Sequence, residues 1–137
     1  MKLASELTRV ELNEAAAVEV MTWSDNPGYK SKFYFSSEWS AEVQKADWAP
    51  AIDNAQALRV FLRALEIIGD QVEAVISFVG CGHVDACVGE YRRNAGGVHF
   101  LAATDYKPVA QLAEVLTRTA VAAVRNWRLK QQATTTQ

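Results

Sequence analysis

The sequence is poor in cysteine, histidine and proline, and it has no excess of positive charge. Its 137 residues include two Cys, two His and three Pro, and 14 basic residues oppose 16 acidic ones, for a formal net charge of −2. A general nucleic-acid binder normally carries a clustered positive excess, so nucleic acid is an unlikely partner. Two cysteines six positions apart on one strand would be too distant for a bridge, and free thiols are the simplest interpretation.

Long apolar runs are also missing. Glu6, Glu11 and Glu14 occupy the N-terminal stretch where a signal peptide would need an apolar segment. No window has the length and apolarity of a membrane-spanning helix. We therefore predict a cytoplasmic protein without membrane association. A chain of this length can bury a core, so we expect a single domain over 1–137.

Capping signals and apolar spacing predict two helices in the first half of the chain. Thr8 and Glu11 form a capping box before a helix over about 9–22. Asp53 caps a second helix, which Gly69 ends. The apolar positions of this second helix recur at helical spacing and predict its buried face: Ala55, Leu58, Phe61, Leu62, Leu65 and Ile68.

A third helix is predicted near the C-terminus. It begins near Asp105, has Pro108 in its first turn, and precedes a frayed tail at 131–137. Three apolar residues lie off its main apolar stripe: Val115, Val121 and Ala122. Such a second strip would allow two subunits to pair, so a homodimer is one assembly that the sequence leaves open.

Between these helices the apolar period changes to two, which predicts strands at 72–79, 84–91 and 98–104. Apolar residues occur at both parities in the first and third strands, whereas a sheet open on one side alternates cleanly. We therefore expect both faces to be covered. The predicted fold class is α+β, a three-layer helix/sheet/helix sandwich around a small, mainly antiparallel sheet.

An aromatic-rich insertion over 23–51 separates the first two helices. It contains seven of the chain's aromatic residues: Trp23, Tyr29, Phe33, Tyr34, Phe35, Trp39 and Trp48. Connectors in compact domains are usually much shorter, and disordered segments are poor in aromatics. We predict a short strand at 32–36 and a short helix at 38–46 within it.

Two interpretations of these aromatic residues remain open, and they are compatible. In the first, four of them fill the end of the sandwich: Trp23, Phe33, Phe35 and Trp48. In the second, three stay exposed as anchors for a partner: Tyr29, Tyr34 and Trp39. These three are the predicted partner-binding residues.

One strand carries residue types that are typical of metal sites and nucleophilic catalysis. Cys81, His83, Asp85 and Cys87 alternate along it and share a face. Neighbours on that face are about 6.6 Å apart along an extended strand, whereas zinc ligands converge at about 2.0–2.3 Å from one ion. His99, on the next strand, is expected to pair near Arg92, on the opposite face of the sheet. We therefore predict no catalytic, cofactor or metal site, and no cofactor.

Three segments of the chain resemble a known group of proteins. Leu12–Ala17 before Trp23, Pro50–Ala55 and Thr104–Ala110 are similar to the corresponding segments of small bacteriophage proteins of the phage ABA-sandwich domain type. The resemblance implies a sandwich of helices and sheet and a phage setting, with the host cytoplasm as the location. That family supplies no catalytic residues to transfer.

We therefore expect a non-catalytic phage or prophage accessory protein that binds a host or phage macromolecule, most simply a protein, for instance in counter-defence. The first alternative is a protein that binds a small molecule or a nucleotide in a pocket between insertion and sheet. The second is a metal-dependent enzyme that uses the Cys, His and Asp residues.

Overall fold

Three helices and two antiparallel sheets form the part of the chain that the computed structural model describes, residues 2–25, 32–36, 41–80, 82–92 and 97–135. This is the α+β class that the sequence predicts. The elements are α1 (Arg9–Ala15), β1 (Ser24–Asp25), β2 (Phe33–Ser36), β3 (Ala41–Gln44), α2 (Asn54–Ile68), β4 (Val72–Val79), β5 (His83–Arg92), β6 (Gly97–Pro108) and α3 (Leu112–Thr135). Their buried side chains belong to one contiguous apolar cluster.

Helix α1 begins at the predicted capping box. Thr8 Oγ1 accepts a hydrogen bond from Glu11 N at 3.2 Å, and Glu11 Oε1 accepts one from Thr8 N at 3.0 Å. The Thr8 backbone N–H, followed by the Lys2 ammonium, lowers the pKa of Glu11 to about 2. The helix continues as a π-helical segment, Ala16–Val20, and ends two residues before the predicted boundary.

Helix α2 has the predicted cap and end, but a different buried face. Asp53 Oδ1 accepts a hydrogen bond from Gln56 N at 2.9 Å, and Gly69 adopts φ +101°. The buried positions are Ala57, Val60, Phe61, Ala64 and Ile68. Three positions of the predicted stripe are exposed: Ala55, Leu58 and Leu62. Ala57 and Ala64 have small side chains, so the element packed against α2 can approach closely at these positions. The spacing of large apolar residues does not predict this close contact.

The main sheet has the strand order β4-β5-β6. Ala74 lies opposite Val88 and Ile76 opposite Ala86, in a continuous antiparallel register. One face of this sheet contacts α3. In this contact, Thr104 on β6 hydrogen-bonds Thr119 on α3 through the two hydroxyl groups. The buried side chains of β5 lie on that same face: Val84, Ala86 and Val88.

Helix α3 lies at the centre of the molecule, in contact with α2, β5 and β6. Most of its residues from Ala113 to Val124 are buried, and they lie on more than one side of the helix. Val115 and Val121, which the sequence assigned to a strip for a second subunit, are 1% and 0% exposed within one chain. That basis for a homodimer is therefore wrong. In the described ranges, no helix reaches the combination of length and hydropathy that a bilayer crossing demands.

The order of the layers differs from the prediction. The helices pack on one face of the main sheet, while Val75 and Phe100 on the other face are 49% and 70% exposed. The apolar residues at both parities had suggested two covered faces. On β4, however, the outer positions alternate between apolar and polar residues, since Glu73 and Ser77 flank Val75. That mixture is typical of a face in contact with water.

The aromatic insertion forms the second sheet, with the order β1-β2-β3. Strand β2 confirms the strand predicted at 32–36. The short helix predicted at 38–46 is wrong over Ala41–Gln44, which is strand β3, and residues 38–40 lie outside the described ranges. The helix rested on a single i, i+4 pair. Backbone pairing with β2, such as Tyr34 opposite Val43, outweighs so weak a local preference.

Two boundaries near the C-terminus also differ. Strand β6 continues through Asp105 to Pro108, so α3 begins at Leu112 after a 3₁₀ turn. Helix α3 then extends to Thr135, and the frayed tail predicted at 131–137 is helical as far as the chain is described. Pro108 still precedes the helix, as a residue without an N–H should.

Candidate functional site

Three aromatic residues of the insertion pack against one another in the core. The rings of Trp23 and Trp48 meet edge to face, with centroids 4.5 Å apart, and the Tyr34 ring lies 6.2 Å from that of Trp23. Each of the three is at most 5% exposed. Trp48 Nε1 donates a hydrogen bond to Asn13 O at 2.9 Å, which ties the insertion to α1. Trp23 and Trp48 therefore fill the interior, as one interpretation predicts.

The predicted exposure of Tyr34 is wrong, and the predicted burial of Phe35 is also wrong. Successive strand residues point to opposite faces, so β2 buries Tyr34 and leaves Phe35 45% exposed. Phe33 is half-buried. The other two predicted partner-binding residues, Tyr29 and Trp39, lie outside the described ranges.

Charged groups surround the buried phenol of Tyr34. The Lys45 ammonium lies 5.0 Å from the centre of its ring and pairs with Asp25 Oδ1 at 2.6 Å. Burial, followed by the negative charges of Glu14 and Asp25, raises the pKa of Tyr34 to about 12. The phenol therefore keeps its proton well above physiological pH.

The open face of the main sheet is the largest concentration of exposed apolar side chains on strands. The register places Val75, Cys87 and Ala103 side by side across the three strands. Phe100 lies opposite Gly89 in the adjacent row, beside a β-bulge. Since Gly89 has no side chain, the Phe100 ring has room to lie across the sheet. Exposed apolar patches of this kind commonly mark interaction sites.

The predicted candidates for chemistry lie on this same face. His83 is exposed, while Asp85 and Cys87 are half-buried, and Cys81 lies outside the described ranges. His83 and Cys87 are four residues apart, about 13 Å along an extended strand, which is too far for a hydrogen bond. His99 lies opposite Glu90, two residues from Arg92, near which it was predicted to pair. Among the described side chains, no three His, Cys, Asp or Glu residues are close enough to hold a metal ion.

Two carboxylates give the open face an acidic character. Glu73 is exposed, and Asp85 lies opposite Ser77 on the neighbouring strand. Asp85 Oδ1 is enclosed, and it accepts no hydrogen bond within the described part of the chain. Glu73 is therefore the carboxylate of this face that a partner could reach from the solvent.

A cleft of about 300 Å³ lies where the N-terminal segment, the end of β6 and the start of α3 meet. Its apolar wall is Ala103, Val115 and Ala122, and its polar wall is Ser5, Thr104, Lys107, Gln111, Glu114 and Arg118. Arg118 is already occupied: its guanidinium donates to Ala4 O, Leu7 O and Glu114 Oε1 at 2.6–3.0 Å. Ser5, Lys107 and Gln111 have no side-chain hydrogen bond to another described residue, so their side chains could contact a ligand.

A second exposed apolar strip lies on α2, in the helix layer. It consists of Ala55, Leu58 and Leu62, and it borders a groove that Met21 and Arg59 also line. Leu58 and Leu62 are 45% and 50% exposed. The strip is built from one helix, whereas the open face of the sheet combines three strands.

Sequence reasoning missed Val75 and Phe100 as surface residues, and also the cleft around Lys107. The sequence of β4 contained a signal for the open face, because the polar residues Glu73 and Ser77 lie on the same face of the strand as Val75. No short segment of the sequence predicts the cleft, because its walls come from residues near both ends of the chain.

Comparison with known proteins finds no family model, no curated protein and no solved structure that matches this chain.

Proposed function

We propose that this chain is a non-catalytic phage or prophage accessory protein that binds a protein partner through the open face of its main sheet. The observation that carries the proposal is the 70% exposure of Phe100, on the same face as the exposed Val75. Large aromatic side chains supply much of the binding energy at protein interfaces. A packed partner would remove both side chains from water.

The charges on the open face indicate the chemistry of that partner. Glu73 and Asp85 lie near the apolar row of Val75 and Cys87, and Glu73 is exposed. A complementary surface therefore has an apolar centre and at least one Lys or Arg that reaches Glu73. The chain itself is acidic overall, which favours a basic partner in the same way.

The phage setting of this proposal rests on the resemblance of Leu12–Ala17, Pro50–Ala55 and Thr104–Ala110 to phage ABA-sandwich proteins. In that setting the protein acts in the host cytoplasm, and the partner is a host or phage protein. Blocking a host factor, as in counter-defence, needs only a stable surface and no catalytic group.

Replacing Phe100 by serine tests the proposal. We expect affinity capture from a bacterial host lysate to retain at least one protein on the wild type and to lose it, by about tenfold or more, on Phe100→Ser, because truncating an interface anchor costs about 2 kcal/mol or more. Capture is quantified by mass spectrometry. Glu73→Gln, which keeps the shape but removes the charge, should weaken the same capture and reduce its sensitivity to salt.

Leu62→Ser is the matched control, since Leu62 is an equally apolar, half-exposed residue on α2. It should leave the capture unchanged. A partner that is lost on Leu62→Ser and retained on Phe100→Ser would assign binding to the α2 strip and contradict the proposal. Equal capture by all three proteins would contradict it as well.

The cleft favours a second candidate function, the binding of a small molecule. Its volume lies at the lower end of ligand pockets. Glu114 and Arg118 neutralise each other, so among the described side chains of the cleft the remaining charge is the Lys107 ammonium. A small monoanion with a short apolar part fits this lining: its acidic group would pair with Lys107, and its apolar part would contact Ala122.

Thermal-shift measurements with small monocarboxylates test this candidate. A ligand should raise the melting temperature of the wild type and of Lys32→Met, which removes a charge on the small sheet, but not that of Lys107→Met. Stabilisation follows from ligand binding to the folded state only. A shift of equal size in all three proteins, or no shift with any compound, would argue against the cleft.

A further inference from the structure

Strand β4 forms an unprotected edge of the main sheet. Within the described residues β5 is its single neighbouring strand, and the register between the two runs over all eight residues without a bulge. In an antiparallel sheet every second residue of an edge strand points its N–H and C=O away from the neighbour. Apart from the Val72 N–H, which donates to Gly69 O, about 26 Å of strand therefore presents a row of backbone groups that have no partner among the described residues.

The opposite edge, β6, is protected in several ways. Its pairing with β5 is interrupted by two irregularities, and it ends at Pro108, which has no N–H to donate. The Leu101 carbonyl accepts a hydrogen bond from Asn126 Nδ2 on α3 at 2.5 Å. Strand β4 contains no proline and no lysine, and its single charged residue is Glu73. Natural proteins normally protect a long edge strand by one of these devices.

We propose that two copies of this chain pair through β4, antiparallel about a twofold axis at Val75, and so join their main sheets into one sheet of six strands. The axis is perpendicular to the sheet, so the outer face of one copy continues into the outer face of the other. Pairing of this kind uses the same strand on both sides, which is the requirement of a closed, isologous dimer.

The side chains of β4 favour this register. With Val75 opposite Val75 of the second copy, Glu73 lies opposite Ser77 and Val72 lies opposite Phe78. The polar pair shares one face, and the apolar pair shares the other. Phe78 is 65% exposed in a single chain and would gain a neighbour. A shift of the axis to Ile76 would instead set Glu73 against Val79, a charge against an apolar side chain.

The occupant is a second copy because the strand is complementary to itself. Its single charge lies away from the axis, so no like charges face each other, and directly opposed like charges are what destabilise such pairs. Helix α3 offers no competing dimer surface through Val115 and Val121, since both are buried. The pairing does not depend on the proposed function, although it would double the area of the open face.

Light scattering on the wild type, Val75→Lys and Val75→Thr tests the proposal. The wild type and Val75→Thr should have twice the chain mass of 15.1 kDa at submillimolar concentration. Val75→Lys should have the mass of one chain, because two ammonium groups would meet at the axis. Val75 is half exposed, so the fold should tolerate both changes, and far-UV circular dichroism checks this.

Hydrogen exchange of the wild type provides a readout that no substitution can disturb. Alternate amides of β4 should be protected at submillimolar concentration and should exchange rapidly on dilution, while the amides of β5 remain protected at both concentrations. A wild type with the mass of one chain, a dimer that persists in Val75→Lys, or β4 exchange that is independent of concentration would each overturn the proposal. Loss of partner capture on Phe100→Ser would leave it unaffected.

Discussion

Replacing Trp48 by alanine is expected to lower the free energy of unfolding by about 3–5 kcal/mol, the range for truncating a large buried aromatic side chain. Trp48 is 4% exposed, and its ring centre lies 4.5 Å from that of Trp23. Its indole N–H also satisfies the Asn13 carbonyl of α1. The substitution would leave a cavity between the insertion and the helix layer, where the neighbouring side chains cannot close together completely. Urea unfolding, monitored by far-UV circular dichroism, gives the value.

Trp48→Phe separates the two contributions. It keeps most of the aromatic surface but removes the donor to Asn13, so we expect a loss of about 1 kcal/mol from the hydrogen bond, with a further loss for the smaller ring. If Trp48→Ala lowered the free energy of unfolding by less than the loss expected for Trp48→Phe, the insertion would not be part of the core. The aromatic cluster around Trp23 would then need another explanation.

Replacing Phe61 by alanine is expected to have a comparable effect, about 3–5 kcal/mol. Phe61 is 3% exposed on the buried face of α2, in the same apolar cluster as the side chains of α3. Ala57 and Ala64 have small side chains and bury little apolar area. The large ring of Phe61 therefore provides much of the apolar area that α2 buries. The same urea titration measures the loss.

Phe100→Ala is the matched control for this change, because the residue types are identical and only the burial differs. With 70% of Phe100 exposed, the expected loss is about 1 kcal/mol or less, in the range of a cross-strand contact. Similar losses for the two variants would mean that the outer face of the sheet is covered in solution. The assignment of this face as exposed to solvent, and with it the proposed partner surface, would then be wrong.

The helix caps and the strands of the main sheet could be predicted because their causes are local. Thr8 and Asp53 are followed at the correct spacing by Glu11 and Gln56, and Gly69 readily adopts a positive φ that other residues avoid. The strands over Val72–Val79 and His83–Arg92 follow from β-branched residues at a period of two. These signals act through the backbone of a few neighbouring residues, so they can be read without knowledge of the packing.

The misassigned segments lack such local causes. Residues Ala41–Gln44 become a strand because β2 pairs with them, and β6 extends to Pro108 because β5 continues opposite it. The exposure of Tyr34 and Phe35 depends on the register of a four-residue strand, and a shift by one residue exchanges the two faces. The helix α3 strip of Val115 and Val121 has the same appearance in a sequence whether a second subunit or the chain's own sheet covers it.

By itself, the sequence determined the α+β class, the start of two helices, the position of three strands and the core role of Trp23 and Trp48. Capping geometry, strand period and the size of an indole ring are properties that a short segment already contains. The tertiary structure decided which faces remain in contact with water: it placed Phe100 on the open face, buried α3 on several sides, and left β4 with one neighbour. Burial depends on which distant segment occupies the space beside a residue, and the sequence around that residue does not encode it.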